Sequence, residues 1–284
     1  MKKILIIGKN SYLGKSFADH LKNHDLPYQV DMISAKSGEW ENFDFSGYDS
    51  VVMFSGIAHR KEKKGDEQLY FDTNAYLAEK ICAKAKQNGT KQFVYLSSMS
   101  VYGISTGIIT KNTIEKPATY YGKSKLSGEK LIFAMQSEDF AVCAVRAPMV
   151  YGNKCTGNYK RLSDLTKKLP FAPDFENKRS MIYVQNLCEY LRILCENRLC
   201  GIFCPQNSEY VCTSVLISEI AKCNGRNIKK IRLFNPLIKL LVGAVPTINK
   251  LFGSLVYEKT MSQLENCDYN IVGFEQSIAL SEKH

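Results

Sequence analysis

A tyrosine and a lysine, Tyr121 and Lys125, have the spacing that a shared proton-transfer site would need. They stand four residues apart, which places them on one face of a helix, a turn from each other. A tyrosine phenol ordinarily ionises near pH ~10 and is a weak base at neutral pH. A neighbouring ammonium stabilises the phenolate and lowers that pKa toward the working range of an enzyme. A solvated surface helix can carry the same pair, so the interpretation needs support from elsewhere in the chain.

A serine-rich segment upstream supplies a third group. Ser98 follows the apolar run at residues 93–96 and precedes Tyr121 by 23 residues. A serine at the carboxyl end of a buried strand can present its hydroxyl to the substrate oxygen that the phenol serves. Ser98, Tyr121 and Lys125 are therefore the candidate catalytic set, a proton-transfer device for an alcohol or a ketone.

Two segments carry a family resemblance: S-S-M-S-V-Y-G at residues 97–103 and Y-Y-G-K-S-K-L-S-G-E at residues 120–129. Together they resemble the signature of the extended short-chain dehydrogenase/reductase family, of the NAD-dependent epimerase/dehydratase type. The resemblance is firm from Lys2 to about Leu187 and looser beyond. It implies a nicotinamide cofactor, with Lys125 also binding the nicotinamide ribose, and a nucleotide-sugar substrate.

The order of the predicted elements agrees with that family. Apolar strands near residues 4, 51, 93 and 141 alternate with helices, which indicates an α/β fold with a Rossmann-like, doubly wound parallel sheet. We expect an NAD(P)-binding Rossmann domain at 1–155 and a smaller, mainly helical substrate-binding part at 156–284. About 176–206 of that part should return to the Rossmann sheet.

A glycine turn after the first strand is the candidate diphosphate site. Backbone N–H groups and a helix amino end suit a phosphate anion there. Gly8 and Gly14 meet the family pattern G-x-x-G-x-x-G, but Ser11 replaces the middle glycine. Further cofactor contacts are expected from the rest of this turn and from the end of the third strand: Asn10, Tyr12, Leu13, Phe54, Ser55 and Gly56.

The end of the second strand bears on the choice between NAD and NADP. NAD-preferring relatives place an acid there to accept from the ribose 2′-hydroxyl, whereas this chain has Ser34 followed by Lys36. Asp31 lies about three residues too early. A hydroxyl beside a cation suits a 2′-phosphate, so the sequence favours NADP(H) over NAD(H), although Lys36 also fits an ordinary loop lysine.

Substrate contacts come from the resemblance. It implies that Ser98, Met99 and Met149 bind the substrate, with Met149 in the place of an asparagine that contacts the phosphoryl end. It also implies that Arg179 binds the diphosphate, a task for which a guanidinium is well shaped. Asn74 would steady a backbone turn near the active site, although N-capping of a helix would explain it equally well. His59 is expected to be a loop residue rather than a catalyst.

Three reactions fit the same catalytic set. Family dehydratases carry an Asp-Glu pair directly after the catalytic serine or threonine, where this chain has Met99 and Ser100, which argues against dehydration. Hexose 4-epimerases usually carry an asparagine where this chain has Met149. We therefore favour reduction of a UDP-4-keto-6-deoxy-N-acetylhexosamine, as in bacterial surface-polysaccharide pathways, over 4-epimerisation of a UDP-hexose or UDP-N-acetylhexosamine. A non-catalytic NAD(P)-binding regulator is the alternative outside enzymes.

Composition indicates a protein of the cytoplasm. The opening apolar run is too short for a signal peptide, and ten cysteines without a C-x-x-C pair suggest reduced thiols rather than disulfides or a metal site. The net charge of +10 is concentrated at residues 222–260, which carry eight basic residues against Glu258 alone. We read this charge as suited to an anionic sugar nucleotide rather than to nucleic acid.

The segment at residues 236–257 is apolar but interrupted by Lys239, Pro246 and Lys250, so it cannot span a bilayer as one helix. The sequence favours a helical lid over the substrate. The alternative is weak membrane-surface contact through a set of inserted apolar side chains: Leu240, Leu241, Leu251 and Phe252. The resemblance also implies a homodimer, built by pairing the helices that follow Asn74 and Tyr121.

Overall fold

The computed structural model describes residues 1–58, 60–265 and 267–283; His59 lies outside them, so its expected loop role is left untested. Contacts divide the chain into two compact units. The first comprises Met1–Gly103, Ile114–Ala147 and Cys188–Pro205, and the second comprises Ile104–Thr113, Pro148–Leu187 and Gln206–His284.

Twelve strands and eleven α-helices occur in the described residues. The strands are β1 (Lys2–Ile7), β2 (Tyr28–Ile33), β3 (Ser50–Met53), β4 (Gln92–Ser98), β5 (Gly107–Ile109), β6 (Ala141–Ala147), β7 (Met149–Tyr151), β8 (Phe171–Pro173), β9 (Met181–Tyr183), β10 (Gly201–Phe203), β11 (Lys229–Ile231) and β12 (Leu255–Tyr257). The helices are α1 (Tyr12–Lys22), α2 (Glu39–Asn42), α3 (Glu67–Phe71), α4 (Leu77–Gln87), α5 (Tyr120–Phe133), α6 (Asn158–Thr166), α7 (Val184–Glu196), α8 (Thr213–Cys223), α9 (Asn235–Leu241), α10 (Pro246–Phe252) and α11 (Phe274–Glu282).

The first unit is built on a six-stranded sheet in the order β10-β6-β4-β3-β1-β2. All its strand pairs are parallel, which confirms the predicted doubly wound α/β fold. The strands are continuous apolar runs because helices cover both faces of such a sheet. Leu5, Val51, Phe93 and Val142 are fully buried at its centre. The carboxyl ends of β1, β3 and β4 therefore lie side by side, where a site can form.

One long helical stretch connects β3 to β4. It begins at Glu67 as α3, passes through a π-helical turn at Asp72–Tyr76 and continues as α4. Asn74 is therefore inside the stretch and does not cap it, so the N-capping interpretation is wrong. A π-helical turn adds a residue to one turn, and such turns occur frequently at functional sites.

The second unit contains three two-stranded parallel pairs, β7 with β9, β8 with β11 and β5 with β12, together with the helices α6 and α8–α11. This division differs in detail from the boundaries expected from sequence. Residues 104–113 join the second unit because β5 pairs with β12. The segment that returns to the first unit is Cys188–Pro205 rather than about 176–206.

The described residues contain neither a membrane-spanning helix nor a cluster of metal-binding side chains. None of the helices there combines the length and the apolar character needed to cross a bilayer. No group of three or more His, Cys, Asp or Glu side chains in the same residues is placed to hold a metal ion.

Candidate active site

The three candidate catalytic residues lie together in the first unit. Ser98 is the last residue of β4, and the chain then turns through a 3-10 helix at Met99–Tyr102. Tyr121 is in the first turn of α5, which Thr119 caps by accepting a hydrogen bond from the Gly122 amide at 3.0 Å. The side chain of Ser98 lies close enough to the Tyr121 phenol to lower the pKa of that phenol, and its Oγ accepts from the Ser100 amide at 3.2 Å. The two side chains are thus neighbours, and their joint action on one substrate oxygen stays a prediction.

The ionisation of Tyr121 differs from the expectation. Burial raises the pKa of the phenol, the Ser98 side chain opposes that effect, and Tyr70 adds to the rise. Ser98, and not Lys125, is therefore the group that favours the phenolate in this structure. The expected lowering of the pKa by the ammonium is not observed, because the lysine head group is directed elsewhere.

Lys125 is buried at the carboxyl end of β4. Its Nζ donates to the Leu96 carbonyl at 2.8 Å and lies 4.5 Å from the centre of the Tyr95 ring. Burial lowers the pKa of Lys125 to about 7, and the Glu129 carboxylate opposes that shift. A Cβ atom on Gly56 would stand 3.2 Å from Nζ, so the end of β3 passes close to the ammonium. Lys125 is consequently a lysine whose charge changes near neutral pH.

Asn74 ties three elements of the site together. Its Oδ1 accepts from the Ile57 amide at 2.8 Å, and its Nδ2 donates to the Ser124 hydroxyl at 3.0 Å. The Tyr95 hydroxyl donates to the Asn74 carbonyl at 2.6 Å. The π-helical turn therefore fixes the chain after Gly56 against α5, which is the turn-steadying role that the resemblance implies.

A buried ion-pair network lies behind the lysine. Arg146 on β6 donates to both oxygens of Glu129 on α5, at 2.7–3.2 Å, and to Glu115 at 2.7 Å. Ser97 also donates to Glu129. Sequence reasoning assigned none of these residues a role, although Glu129 follows Lys125 by four residues and so shares its helix face.

Glu62 caps the catalytic helix from a distant loop. Its two carboxylate oxygens accept from the Tyr120 amide at 3.0 Å and from the Tyr121 amide at 2.9 Å. A carboxylate at a helix amino end satisfies free N–H groups and complements the helix dipole. In sequence, the charged stretch at residues 60–67 is typical of an exposed loop, and no signal distinguishes Glu62 from its charged neighbours.

The backbone of the glycine turn has the shape that a diphosphate site needs, but Ser11 stands where the family pattern has its middle glycine. Gly8 has φ +133°, and a Cβ on Gly14 would stand 2.8 Å from the Gly8 carbonyl oxygen, so the turn requires both glycines. Ser11 is the N-cap of α1, and its Oγ accepts from the Gly14 amide at 2.8 Å. The serine therefore closes the turn internally. Asn10 precedes this cap, and Tyr12 and Leu13 begin α1.

The other expected cofactor residues lie at the ends of β2 and β3. The amides of Phe54 and Ser55 donate to the Ile7 carbonyl at 2.9 and 3.2 Å, which holds the end of β3 beside β1. Asp31 accepts from the Tyr48 hydroxyl at 2.8 Å.

An acid that sequence reasoning did not consider reaches the end of β2. Glu39 Oε2 lies 3.5 Å from the Ser34 amide, and the Ser34 hydroxyl accepts from the Lys36 amide at 3.2 Å. Lys36 lines a cavity of about 350 Å³. The same cavity is lined by the positive charge of Lys80 and by the negative charges of Glu41 and Asp72. The local charge is therefore balanced rather than strongly positive.

Two expected substrate residues belong to the second unit. Met149 is half-buried at the start of β7. Arg179 donates through Nη1 to the Gly253 carbonyl at 2.8 Å, and its buried Nε has no hydrogen-bond partner among the described residues. Burial lowers the pKa of Arg179. The carbonyl oxygens of Asn249 and Gly253 orient this guanidinium.

Comparisons with known proteins place the chain among sugar-modifying enzymes. Residues 4–200 match the model of the "NAD dependent epimerase/dehydratase family". The N-acetyl-alpha-D-glucosaminyl-diphospho-ditrans,octacis-undecaprenol 4-epimerase of Escherichia coli O157:H7 is 23% identical over 253 residues, covering 82% of this chain and 76% of that relative. The UDP-glucose 4-epimerase of Vibrio cholerae is 28% identical over 226 residues, covering 75% and 68%.

A solved structure supports the fold over the whole chain. The UDP-glucuronic acid 4-epimerase from Bacillus cereus, in complex with NAD, superposes with a TM-score of 0.75 at 18% identity. The superposition covers 99% of this chain and 97% of that one.

Proposed function

Because the chain belongs to the NAD dependent epimerase/dehydratase family, we propose that it uses Ser98, Tyr121 and Lys125 for oxidoreduction at C4 of a sugar joined to a diphosphate. Its curated relatives, both sugar 4-epimerases, support the assignment as an enzyme. The observation that carries the assignment to these residues is the position of the Ser98 side chain beside the Tyr121 phenol, where it opposes the rise of the phenol pKa, with Lys125 buried on the same helix.

The reaction divides between the cofactor and the protein. A bound nicotinamide supplies or accepts the hydride at C4. For reduction of a C4 ketone, Tyr121 gives its phenolic proton to the C4 oxygen, and Ser98 hydrogen-bonds the same oxygen. Ser98 also stabilises the phenolate that remains until a proton returns from solvent. In the oxidative direction the ionised form of Tyr121, which Ser98 stabilises, removes the proton from the C4 hydroxyl.

The buried groups support binding of this cofactor. The two glycines of the turn after β1 let the chain approach a diphosphate, and Gly56 leaves room beside the Lys125 ammonium. The Ser34 hydroxyl and the Lys36 ammonium could bind the 2′-phosphate of NADP(H), whereas the Glu39 carboxylate would repel that phosphate. Comparing kcat/KM for NADPH and NADH in the wild type and in Lys36→Ala tests the preference. If the enzyme prefers NADP(H), Lys36→Ala should lower kcat/KM for NADPH and leave kcat/KM for NADH unchanged.

Reduction of a UDP-4-keto-6-deoxy-N-acetylhexosamine is the first candidate reaction. Met149 supports it, because hexose 4-epimerases usually carry an asparagine in that position. Met99 and Ser100, in place of the dehydratase carboxylates, leave no acid-base pair there for elimination. In this proposal Arg179 binds the substrate diphosphate, and Ser98, Met99 and Met149 border the sugar.

Epimerisation at C4 is the second candidate, and the names of the two curated relatives favour it. The two reactions differ in net redox change: a reductase consumes one reduced nicotinamide per product, whereas an epimerase returns the hydride and consumes none. The group that carries the sugar is also open to proposal. UDP and the polyprenyl diphosphate in the name of the E. coli relative both contain a diphosphate, which Arg179 would bind.

The test is an incubation of the enzyme with NADPH and UDP-4-keto-6-deoxy-N-acetylglucosamine, following the loss of reduced-nicotinamide absorbance. We expect stoichiometric loss, and we expect Tyr121→Phe to lower turnover by about 10²–10⁴-fold while cofactor still binds. Interconversion of UDP-hexoses without nicotinamide consumption would instead support the epimerase. Near-wild-type turnover of Tyr121→Phe in both assays would reject the proposed catalytic set, and failure of both assays with every sugar tested would favour the non-catalytic regulator.

A further inference from the structure

Three leucines of the second unit form an exposed stripe on α9 and the turn before it. Leu233 is 80% exposed, Leu237 is 54% exposed and Leu240 is 75% exposed. Leu237 and Leu240 are three residues apart and share one face of α9, and Leu233 lies in the turn two residues before the helix begins. Single exposed leucines are common on protein surfaces, but a continuous stripe of them marks an interaction site.

The opposite face of α9 is already used for packing. Ile238 is buried, and the ring of Phe234 stacks on that of Phe171 with centroids 5.5 Å apart and an angle of 10° between the planes. Phe171 itself is 37% exposed, so its outer edge extends the apolar surface. The leucine stripe is thus the outward side of a helix that is firmly placed within its unit.

Basic side chains surround the stripe. Lys229 and Lys230 are exposed on β11, which leads into α9, and Lys239 is exposed on the helix between Leu237 and Leu240. Arg232 is also exposed, although it pairs with Asp174 at 2.8 Å and has Glu176 nearby. Residues 222–260 have one acidic residue against eight basic ones. The surface therefore combines apolar groups with a positive rim.

We propose that this leucine stripe docks on an anionic lipid bilayer, with Leu233, Leu237 and Leu240 at the boundary between headgroups and acyl chains. A short helix with an apolar face and flanking lysines lies in the plane of such an interface. Anionic headgroups attract the basic rim, so binding depends on both apolar contact and charge. α9 has seven residues and cannot span a bilayer. Contact is therefore peripheral and reversible.

The side chains available for membrane contact differ from those that the sequence predicts. Of the four expected from sequence, Phe252 is buried and packs edge-on against Phe175 with ring centres 5.8 Å apart. Leu251 is only half-exposed, and its carbonyl accepts from Thr213 and Asn177. Leu241 is half-buried, so Leu240 alone of that set is strongly exposed. α10 packs within the second unit, and α9 provides the exposed surface.

Co-sedimentation with vesicles tests the inference without any turnover. Full-length protein is mixed with vesicles of phosphatidylcholine alone or with added phosphatidylglycerol, at low and high salt. We expect binding to the anionic vesicles only, weakening with salt because exposed charges are screened. Leu233→Ser/Leu237→Ser/Leu240→Ser should weaken binding by at least ~10-fold.

Matched controls separate the stripe from general exposure and charge. Ile108→Ser/Ile114→Ser removes two residues that are 63% and 68% exposed elsewhere, and should leave binding unchanged. Lys229→Glu/Lys230→Glu should weaken binding, whereas Lys22→Glu/Lys91→Glu, an equal charge change at exposed sites of the first unit, should weaken it much less.

Two outcomes would overturn the inference. One is equal binding of the triple-serine variant and the wild type to anionic vesicles, or no binding by either. The other is a lipid-free wild-type oligomer that the triple-serine variant dissociates, measured by sedimentation; the stripe would then be an interface between copies of the chain.

Discussion

Lys125 shows how much the surroundings of one residue decide its chemistry. Its position in the sequence matches that of a surface lysine one turn from Tyr121, yet its side chain is 5% exposed. Burial lowers its pKa to about 7, and Glu129 counteracts part of that effect. The spacing of Tyr121 and Lys125 can be predicted from sequence, but the pKa cannot, because it depends on burial by β3 and β4 and on a carboxylate oriented by β6.

The first prediction concerns this carboxylate. Glu129→Gln removes the charge that favours the Lys125 ammonium, so the pKa of Lys125 should fall further below its ordinary value. If the ammonium form is active, the alkaline fall of kcat/KM should move to lower pH. A pH profile of kcat/KM for both proteins measures the shift.

Glu115→Gln is the matched control, since Glu115 pairs with the same Arg146 and is not among the groups that shift the pKa of Lys125. It should leave the alkaline limb in place. If the alkaline limb of the pH profile moved equally in both variants, the cause would be a change in the packing of Arg146 and not the loss of a charge near Lys125.

At the scale of elements, α5 is positioned by groups that are distant in sequence. Glu62 holds its first two amides, Asn74 binds Ser124, and Arg146 binds Glu129. The helix itself could be predicted from its motif. Its supports could not, because a loop glutamate and a π-helical asparagine carry no periodic signal that separates them from ordinary loop and capping residues.

We expect Glu62→Ala to lower kcat by about fivefold, because loss of a helix cap costs ~1 kcal/mol and here displaces the turn that carries Tyr121. Glu62→Gln retains one acceptor oxygen, so its kcat should lie between those of the wild type and Glu62→Ala. Steady-state kcat and KM measure the effect. Glu67→Ala, at a nearby exposed carboxylate, should behave as the wild type; an unchanged kcat in Glu62→Ala would show that the cap does not position the tyrosine.

A second tie at this scale joins α1 to α7 within the first unit. His20 bonds Glu189 at 2.9 Å, and Arg192 bonds it at 2.7 and 2.9 Å. Burial raises the pKa of the Glu189 carboxyl, but these partners outweigh it and lower the pKa to about 2. Since the folded pKa lies below the ordinary 4.5, the carboxylate stabilises the fold above that pH, and the contribution disappears as the pH falls toward 2.

Glu189→Gln should therefore lower the free energy of unfolding near neutral pH by about 1.5–3 kcal/mol. The difference from the wild type should shrink as the pH falls through the window between 4.5 and 2. Urea denaturation across that range measures it. Glu67→Gln, on an exposed carboxylate, should show little difference at any pH, and a pH-independent loss in Glu189→Gln would contradict the ionic origin.

At the scale of the whole molecule, the sequence predicts the sheet better than the second unit. Apolar runs near residues 4, 51, 93 and 141 are local signals, and all four became sheet strands. The pairing of β5 with β12 joins residues about 107 and 255, and a three-residue strand in a polar stretch gives no local sign of it. The boundary of the units follows from that distant pairing and could not be read from composition.

We still expect a homodimer through the helical stretch around Asn74, but not through the apolar face of α4. Ala78, Ile81, Cys82 and Ala85 are fully buried in the core of the first unit. Leu69 and Tyr76, each 41% exposed, lie on the outer side of the same helical stretch. Leu69→Glu/Tyr76→Glu should convert a dimer into a monomer in sedimentation at micromolar concentration. Ile104→Glu, at 40% exposure, is the control; a monomeric wild type would refute the assembly.

The most direct test of C4 oxidoreduction follows one hydrogen atom. NADPH or NADH deuterated at its hydride-bearing carbon is incubated with the enzyme and UDP-4-keto-6-deoxy-N-acetylglucosamine, and the product is analysed by NMR. The account predicts one deuterium per product, at C4 of the sugar, with formation strongly reduced in Tyr121→Phe. Deuterium at any other carbon, or its transfer to C4 at an undiminished rate in Tyr121→Phe, would contradict it.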